Sequence, residues 1–137
     1  MPAWVVSARE SAERDRAAIE RGTPSRVLMQ RAGAAAAEVI SRRYPERLRG
    51  GAVVFTGPGN NGGDGWVVAR TLARSGVAVT VIEAAKATPA KSPDAVAERE
   101  AAIGSVKGRS PEYPITTGKR RQQPFARCEL RSVLILA

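Results

Sequence analysis

Residues 57–65 read Gly-Pro-Gly-Asn-Asn-Gly-Gly-Asp-Gly, and they form the one segment of the chain whose residue types and spacing indicate a site. The glycines let the backbone approach a ligand closely. Asn60, Asn61 and Asp64 add amide and carboxylate groups to the same segment. A strand-like run precedes it and a helix-like run follows, so free N–H groups at the start of that helix would face a ligand. The segment therefore predicts a phosphate-binding turn.

Two other interpretations of this turn come from its residues alone. Residues 57–62 match the dinucleotide fingerprint G-x-G-x-x-G, and Glu83 follows near the place of the acid that binds a ribose hydroxyl. Pro58 weakens that match because it removes a backbone donor where the loop needs one. A purely structural turn is the second interpretation, since Asn and Gly tolerate positive φ. Asp64 has two open roles, direct contact with a ligand or capping of the helix that follows.

Two helices are predicted ahead of the turn. The capping box Ser7-Ala8-Arg9-Glu10 predicts a helix over residues 8–20. Thr23 and Pro24 predict the N-cap and the first position of a second helix, which continues to about residue 43. Apolar residues recur in this second helix at a period of 3.6 and predict its buried stripe: Val27, Leu28, Ala32, Ala35, Ala36, Val39 and Ile40.

A strand–helix–strand unit surrounds the turn itself. Residues 52–56 form a short apolar run bounded by glycines, which predicts a buried strand. A helix is expected from about residue 63 to residue 75, and a β-branched second strand over residues 77–82. Two such strands joined by one helix should be parallel, with a right-handed crossover. Further along, residues 94–103 predict a helix and residues 133–137 a strand.

Composition excludes several kinds of chemistry. The chain has no histidine and one cysteine, Cys128, which rules out histidine-based catalysis, internal disulfides and zinc sites built on several cysteines. The net charge is +9, which invites a nucleic-acid interpretation. Basic and acidic residues nevertheless alternate along the first helix, as on a solvated face. No apolar run approaches the length of a membrane span, so we expect a cytoplasmic protein without membrane or nucleic-acid partners.

The turn and the helix after it resemble a known family. Residues 57–65 followed by Ala69-Arg70-Thr71-Leu72 match the pattern G-x-G-N-N-G-G-D-G-x-x-x-A-R-x-L. This pattern is typical of the YjeF N-terminal domain family, the NAD(P)H-hydrate epimerases. Asp15 and the two segments at residues 22–24 and 28–33 resemble the family's D…G-x-P…L-M-E-x-A-G, with Gln30 in place of the usual Glu.

The resemblance covers about residues 4–100 and carries implications for fold and activity. It implies a Rossmann-like α/β fold with three αβα layers, a parallel sheet and two N-terminal helices. It also implies an isomerase that interconverts the R and S forms of hydrated NADH and NADPH in cofactor repair. A functional partner, an NAD(P)H-hydrate dehydratase, would then restore the S form. Family members bind a potassium ion and tend to form homodimers.

The resemblance also assigns roles to residues of the turn. Asn60, Asn61, Gly62, Gly63 and Asp64 are implied to bind the substrate. The side chain of Asn61 is implied to be a potassium ligand, and amide and carboxylate oxygens suit a hard cation.

The chain departs from the family pattern after its second strand. The family carries D-A-x-x-G-T-G after its third strand, and that Asp is its main acid/base candidate; no such motif follows here, so the catalytic residue is unassigned. We therefore expect a truncated domain: residues 1–104 as the N-terminal part of an epimerase domain, and residues 105–137 as an atypical basic tail. We hypothesise that the tail is frameshifted or disordered, and residues 107–123 read as a loop.

The alternative function is non-catalytic. The chain would then be a nucleotide- or phosphate-binding module, or a truncated product whose basic tail binds a partner.

Overall fold

The computed structural model describes residues 6–83 and 92–106, together with the backbone of residues 115–119 and 133–136. Nine helices and strands occur in these residues, in the order α1 (Ala8–Glu20), α2 (Ser25–Arg43), α3 (Pro45–Leu48), β1 (Ala52–Thr56), α4 (Asn60–Arg74), β2 (Val79–Glu83), α5 (Pro93–Val106), β3 (Ile115–Lys119) and β4 (Val133–Leu136). No helix in this part of the chain is both long and apolar enough to span a bilayer.

The four strands form one parallel sheet in the order β3-β2-β1-β4. The chain steps from β1 through β2 to β3 in one direction, and β4 then lies on the other side of β1. The strand order therefore reverses at β1, as in doubly wound Rossmann-like folds. Because all strands are parallel, their carboxyl ends share one edge of the sheet, which is where such folds bind ligands. The predicted Rossmann-like α/β class is confirmed.

One face of the sheet is buried beneath α4. Along β1 and β2, alternate residues point to this face, and Val54 and Val81 have no exposed surface. Leu72 of α4 is also fully buried and belongs to the same apolar cluster. On the opposite face Val53 and Phe55 are only half-buried. The predicted third layer, of helices on that face, stays a prediction.

Helix α2 packs on α4 at very short range because a glycine lies at the contact. A Cβ atom added to Gly33 would lie 2.5 Å from the Cβ of Val67 and 2.9 Å from the backbone oxygen of Asp64. In α4, a Cβ on Gly63 would lie 2.5 Å from the sulfur of Met29 and 3.1 Å from the Cα of Ala95. The three helices α2, α4 and α5 thus meet at the beginning of α4.

Several expected elements are confirmed. The first helix spans residues 8–20, and both hydrogen bonds of the Ser7–Glu10 capping box are present. The first strand spans residues 52–56, and the helix expected near residues 94–103 is α5. The strand expected at the end of the chain is β4.

Other expectations are wrong. Helix α2 begins at Ser25 with Pro24 at the N-cap, one residue later than predicted, and no side chain caps it. Residues 115–119, which the sequence assigns to a loop, form β3 because they pair with β2 along their whole length. The remainder of the predicted loop at residues 107–123 lies outside the described residues, and the expected division of the chain at residue 104 stays a prediction.

The buried stripe of α2 also differs from the prediction. Its buried residues are Met29, Gly33 and Ala37. Four members of the predicted stripe are exposed: Ala32, Ala35, Ala36 and Val39. The reason is steric, because the face of α2 that carries Gly33 allows the axes of α2 and α4 to approach most closely. The periodicity of apolar residues in the sequence does not indicate where such a close approach occurs.

A matched pair of glycine substitutions tests this contact. We expect Gly33→Ala to lower the free energy of unfolding by about 1–3 kcal/mol, because the added methyl group overpacks the contact with Val67. Gly104→Ala makes the same chemical change in α5, where no atom of the described residues lies within 4 Å of the added atom, and should raise stability by up to about 1 kcal/mol. Urea unfolding of both variants measures the difference; equal effects would contradict the close approach of α2 to α4.

Candidate functional site

The glycine-rich segment forms the connection between β1 and α4 at the carboxyl edge of the sheet. Thr56 ends β1, and α4 begins at Asn60 with Gly59 as its N-cap. The helix therefore starts about three residues earlier than predicted, so most of the presumed loop is helical. Asp64 lies inside the helix, and no side chain caps it. The capping role considered for Asp64 is thus wrong.

Gly62 is required by the shape of this connection. A Cβ atom on Gly62 would collide with the carbonyl oxygen of Gly57 and lie 2.8 Å from its carbonyl carbon. Backbone atoms cannot move aside as the end of a flexible side chain can. The chain therefore folds back tightly between β1 and α4 only because residue 62 has no side chain.

The start of α4 presents hydrogen-bond donors to the edge of the sheet. The first backbone bond into this turn runs from the N–H of Gly63 to the oxygen of Gly59, at 3.2 Å. The N–H groups of the preceding residues have no helical carbonyl to bind, as at any helix start. Asn60 and Asn61 are exposed there. These donors and the helix dipole together favour an anionic group such as a phosphate.

Asp64 is a half-buried carboxylate that no described residue compensates. Burial raises the pKa of Asp64 above its ordinary value, and the negative charge of Asp15 on α1 raises it further. Within the described residues the Asp64 side chain has no hydrogen bond and no ion pair. The fold thus holds an ionisable group in a position that disfavours its charge, which is a common property of ligand-binding and catalytic groups.

Asn61 and Asp64 provide oxygen atoms that fit a potassium ion. They lie three residues apart on α4 and so share one face of the helix. An amide oxygen and a carboxylate oxygen match the preference of hard cations. Among residues 6–83 and 92–106, no group of three or more His, Cys, Asp or Glu side chains is arranged to hold a metal ion. A cation here would take its other ligands from backbone, solvent or substrate.

A second carboxylate, Glu98 of α5, is fully buried and fully paired. Its Oε1 accepts hydrogen bonds from Arg26 Nε at 2.7 Å and Gln30 Nε2 at 2.6 Å, both on α2. Its Oε2 accepts from Arg70 Nη2 on α4 at 2.6 Å. Burial by itself would raise the pKa of Glu98. The hydrogen bonds from Arg26 and Gln30, with the positive charges of both arginines, outweigh it and lower the pKa below its ordinary value.

Two of the donors to Glu98 lie in the segments that resemble the family pattern. Arg70 belongs to the A-R-x-L segment, and Gln30 stands where the L-M-E-x-A-G pattern has Glu. A Glu at residue 30 would place a second carboxylate beside a buried one.

Sequence reasoning missed Glu98, although a signal was present. Ala95, Glu98 and Ala102 are all buried and recur at helical spacing along α5. A glutamate on the apolar stripe of a helix indicates a buried charge that needs partners.

Glu83, the residue considered for ribose binding, ends β2 beside Thr56 of β1. Its carboxylate accepts two hydrogen bonds from Arg99 of α5, from Nε at 3.2 Å and from Nη2 at 2.8 Å. The guanidinium carbon of Arg99 lies 5.6 Å from the centre of the Trp66 ring, within the range of a cation–π contact. The structure therefore brings residues 60–64 together on one helix start, and places Glu83 at the neighbouring strand end in an ion pair.

The fold and the turn define a Rossmann-like α/β protein with a glycine-rich strand-to-helix connection at the ligand-binding edge of its sheet. Within that class the chain belongs to the family described as YjeF-related protein N-terminus, whose model matches residues 25–117. The match extends past residue 104, where the sequence places the end of the family-like part.

Two curated relatives carry related names. A bifunctional NAD(P)H-hydrate repair enzyme Nnr from Thermanaerovibrio acidaminovorans is 54% identical over 70 residues, which are 51% of this chain and 13% of the relative. An NAD(P)H-hydrate epimerase from Rhodobacter capsulatus is 50% identical over an aligned length of 74 residues, and the alignment covers 49% of this chain and 34% of the relative. The chain thus matches only a minor part of each.

A solved structure shows the same fold. The crystal structure of the yeast protein ynu0, YNL200c, has a TM-score of 0.73 and 23% sequence identity to this chain. The similarity covers 98% of this chain and 55% of the yeast chain.

The paired carboxylate predicts a pH-dependent contribution to stability. We expect Glu98→Gln to lower the free energy of unfolding at pH 7 by about 3 kcal/mol or more, because Arg70 then loses its buried partner. Since the folded pKa of Glu98 lies below its unfolded value, this contribution is present above about pH 4.5 and is lost as the pH falls through the folded pKa. Urea unfolding at pH 7 and pH 3 should show the difference from wild type shrinking at low pH.

The control for this experiment is Glu46→Gln. Glu46 forms an exposed ion pair with Arg49, with a side chain that is 74% exposed, so its effect should stay below about 1 kcal/mol. An effect of Glu98→Gln as small as that of the control would contradict a structural role for the buried cluster.

For Asp64 we expect a substitution to change stability in the opposite direction to Glu98→Gln. We expect Asp64→Asn to raise the melting temperature at pH 7, because the charged form of Asp64 is unfavourable in the folded protein. Because the pKa of Asp64 is raised in the folded protein, the stability of wild type relative to the variant is greatest below pH 3.8. This relative stability falls as the pH rises through the folded pKa of Asp64. Thermal melts at pH 3 and pH 7 measure the trend.

Asp94→Asn serves as the comparison, because the Asp94 carboxylate accepts a hydrogen bond from Ser25 at 2.5 Å and should not be destabilising. If Asp64→Asn lowers stability at pH 7, the Asp64 carboxylate has a stabilising partner within the protein, which would contradict its assignment as an unpaired group available to a ligand.

Proposed function

We propose that this chain carries the substrate-binding turn of an NAD(P)H-hydrate epimerase, an isomerase that interconverts the R and S forms of hydrated NADH and NADPH. The observation that supports it is the conjunction of the family match with the β1–α4 connection at the carboxyl edge of the sheet. Relatives named NAD(P)H-hydrate epimerase match about half of the chain, at 49% and 44% of its length. The activity of the whole protein, and its place in cofactor repair, belong to this proposal.

In this proposal, different residues of the turn bind different parts of the substrate. The N–H groups at the start of α4 would hold phosphate oxygens of the dinucleotide. Gly62 and Gly63 would contribute by allowing the tight turn and the close helix packing that position these groups. Asn60 and Asn61 would donate to or accept from the substrate through their exposed amides. Asp64 would meet a hydroxyl or amide of the substrate, which would compensate its unfavourable charge.

A potassium ion fits the proposal through Asn61. Its amide oxygen would be one ligand, and the Asp64 carboxylate on the same face of the helix would balance the positive charge. When bound, the cation would supply a fixed positive charge that orients the phosphates and the substrate at the turn.

The proposal leaves the acid/base group unassigned. The aspartates of the chain are Asp15, Asp64 and Asp94, and none follows β3. We also propose an NAD(P)H-hydrate dehydratase as the functional partner, which the names of the bifunctional relatives support. The proposed active form is a homodimer.

The decisive experiment is an epimerisation assay on purified R-form hydrated NADH with potassium present. We expect turnover by the wild-type chain and its loss in Asn61→Ala, because the variant loses a potassium and substrate ligand. Replacement of potassium by choline should have the same effect on wild type. Ser75→Ala is the control variant, because Ser75 caps the far end of the same helix and is exposed.

The same assay, combined with a binding measurement, distinguishes the epimerase from the non-catalytic binding module. Binding of the dinucleotide that Asn61→Ala weakens, without turnover, would favour the non-catalytic binding module. Absence of both binding and turnover would contradict either role for the turn.

A further inference from the structure

The end of β2 is a second place where the fold meets a dinucleotide, beside the turn. Glu83 is the last residue of β2 and pairs in register with Thr56, the last residue of β1. The glycine-rich connection follows Thr56 directly. In nucleotide-binding folds with this arrangement, the phosphates lie at the start of the first helix, and the end of the second strand meets the adenosine ribose. An acidic side chain there accepts the 2′-hydroxyl, and an arginine nearby accommodates a 2′-phosphate.

Arg99 changes what Glu83 can do at this position. The guanidinium group engages both carboxylate oxygens, so the negative charge of Glu83 is neutralised. A cation–π contact with Trp66, which is 3% exposed, restrains the guanidinium group further. The glutamate therefore neither repels an anion as a free carboxylate would nor is free to select a 2′-hydroxyl.

Arg99 retains the capacity to bind a ligand while it holds Glu83. An arginine has five N–H donors, and the contacts with Glu83 occupy one on Nε and one on Nη2. The side chains of Arg99 and Glu83 are 40% and 33% exposed, so both are partly accessible to solvent. The pKa of Arg99 is raised, first by its hydrogen bond to Glu83, and the group stays charged.

We infer that Arg99 is a specificity-determining residue, which lets the chain accept the 2′-phosphate of hydrated NADPH where Glu83 alone would favour hydrated NADH. This inference rests on the proposed function, because it takes the dinucleotide phosphates to lie at the start of α4. It assigns the phosphorylated form of the cofactor to a particular pair, Glu83 and Arg99, on elements outside the turn itself.

A purely structural ion pair between β2 and α5 is the competing explanation, and it makes a different prediction. A structural pair would change stability when broken, but it would leave the ratio of affinities for phosphorylated and unphosphorylated ligands unchanged. The readout must therefore be that ratio.

The test measures binding of 2′,5′-ADP and 5′-AMP to the whole chain by calorimetry, since these nucleotides differ only in the 2′-phosphate. We expect wild type to bind 2′,5′-ADP more tightly. Arg99→Gln should reduce that preference by about tenfold, the effect of roughly 1.4 kcal/mol from one lost charge-assisted contact. Glu83→Gln should increase the preference, because it breaks the ion pair and leaves the charge of Arg99 available to the 2′-phosphate.

Two further variants separate charge from geometry. Arg74→Gln removes the same charge from an exposed position at the far end of α4 and should leave the ratio unchanged. Arg99→Lys keeps the charge but not the paired geometry and should give an intermediate ratio. Thermal melts establish that each variant is folded, and Glu83→Gln, which keeps Arg99 against Trp66, supplies the answer if Arg99→Gln does not fold.

The opposite changes in the two variants would support the inference. It would be overturned by an unchanged ratio in both, or by equal or undetectable binding of the two nucleotides to wild type. The epimerisation assay with Asn61→Ala is independent of this measurement, because it uses hydrated NADH, which has no 2′-phosphate. Failure of the specificity inference and failure of the epimerase proposal are therefore distinguishable.

Discussion

The buried carboxylate of Glu98 is the constraint on which the arrangement of helices depends. One side chain of α5 binds Arg26 and Gln30 of α2 and Arg70 of α4 while having no exposed surface. A buried ion pair contributes little net stability compared with an apolar contact, but removal of either partner is costly. Alternative packings of the three helices would leave a buried charge unpaired, so the cluster selects one relative placement of α2, α4 and α5.

The position of the candidate site follows from that placement. Helix α4 carries the turn at its first residues, and it is held from one side by the sheet and from the other by α2 and α5. Gly33 and Gly63 permit the close approach, and Glu98 fixes its register. The free N–H groups at the start of α4 are thereby kept in position beside the ends of β1 and β2. Binding to a positioned group loses less conformational entropy than binding to a loop.

Two carboxylates of this chain differ in the partners that the fold gives them. Glu98 is wholly buried, has three donors, and has a lowered pKa. Asp64 is half-buried, has no partner within the described residues, and has a raised pKa because of burial and the nearby Asp15. In the proposed function, a ligand at the turn would compensate the charge of Asp64.

The sequence by itself determined the features that depend on residues near one another in the chain. The Ser7–Glu10 capping box, the β1 strand and the family assignment all follow from residues close together in the chain. Tertiary structure decided the rest: which face of α2 is buried, where α4 begins, and which partners Glu98 and Arg99 have. The contacts of Glu98 join residues 28 to 72 positions apart, and β3 exists through its pairing with β2. Such choices depend on the distance between elements that are remote in sequence, and no local periodicity records that distance.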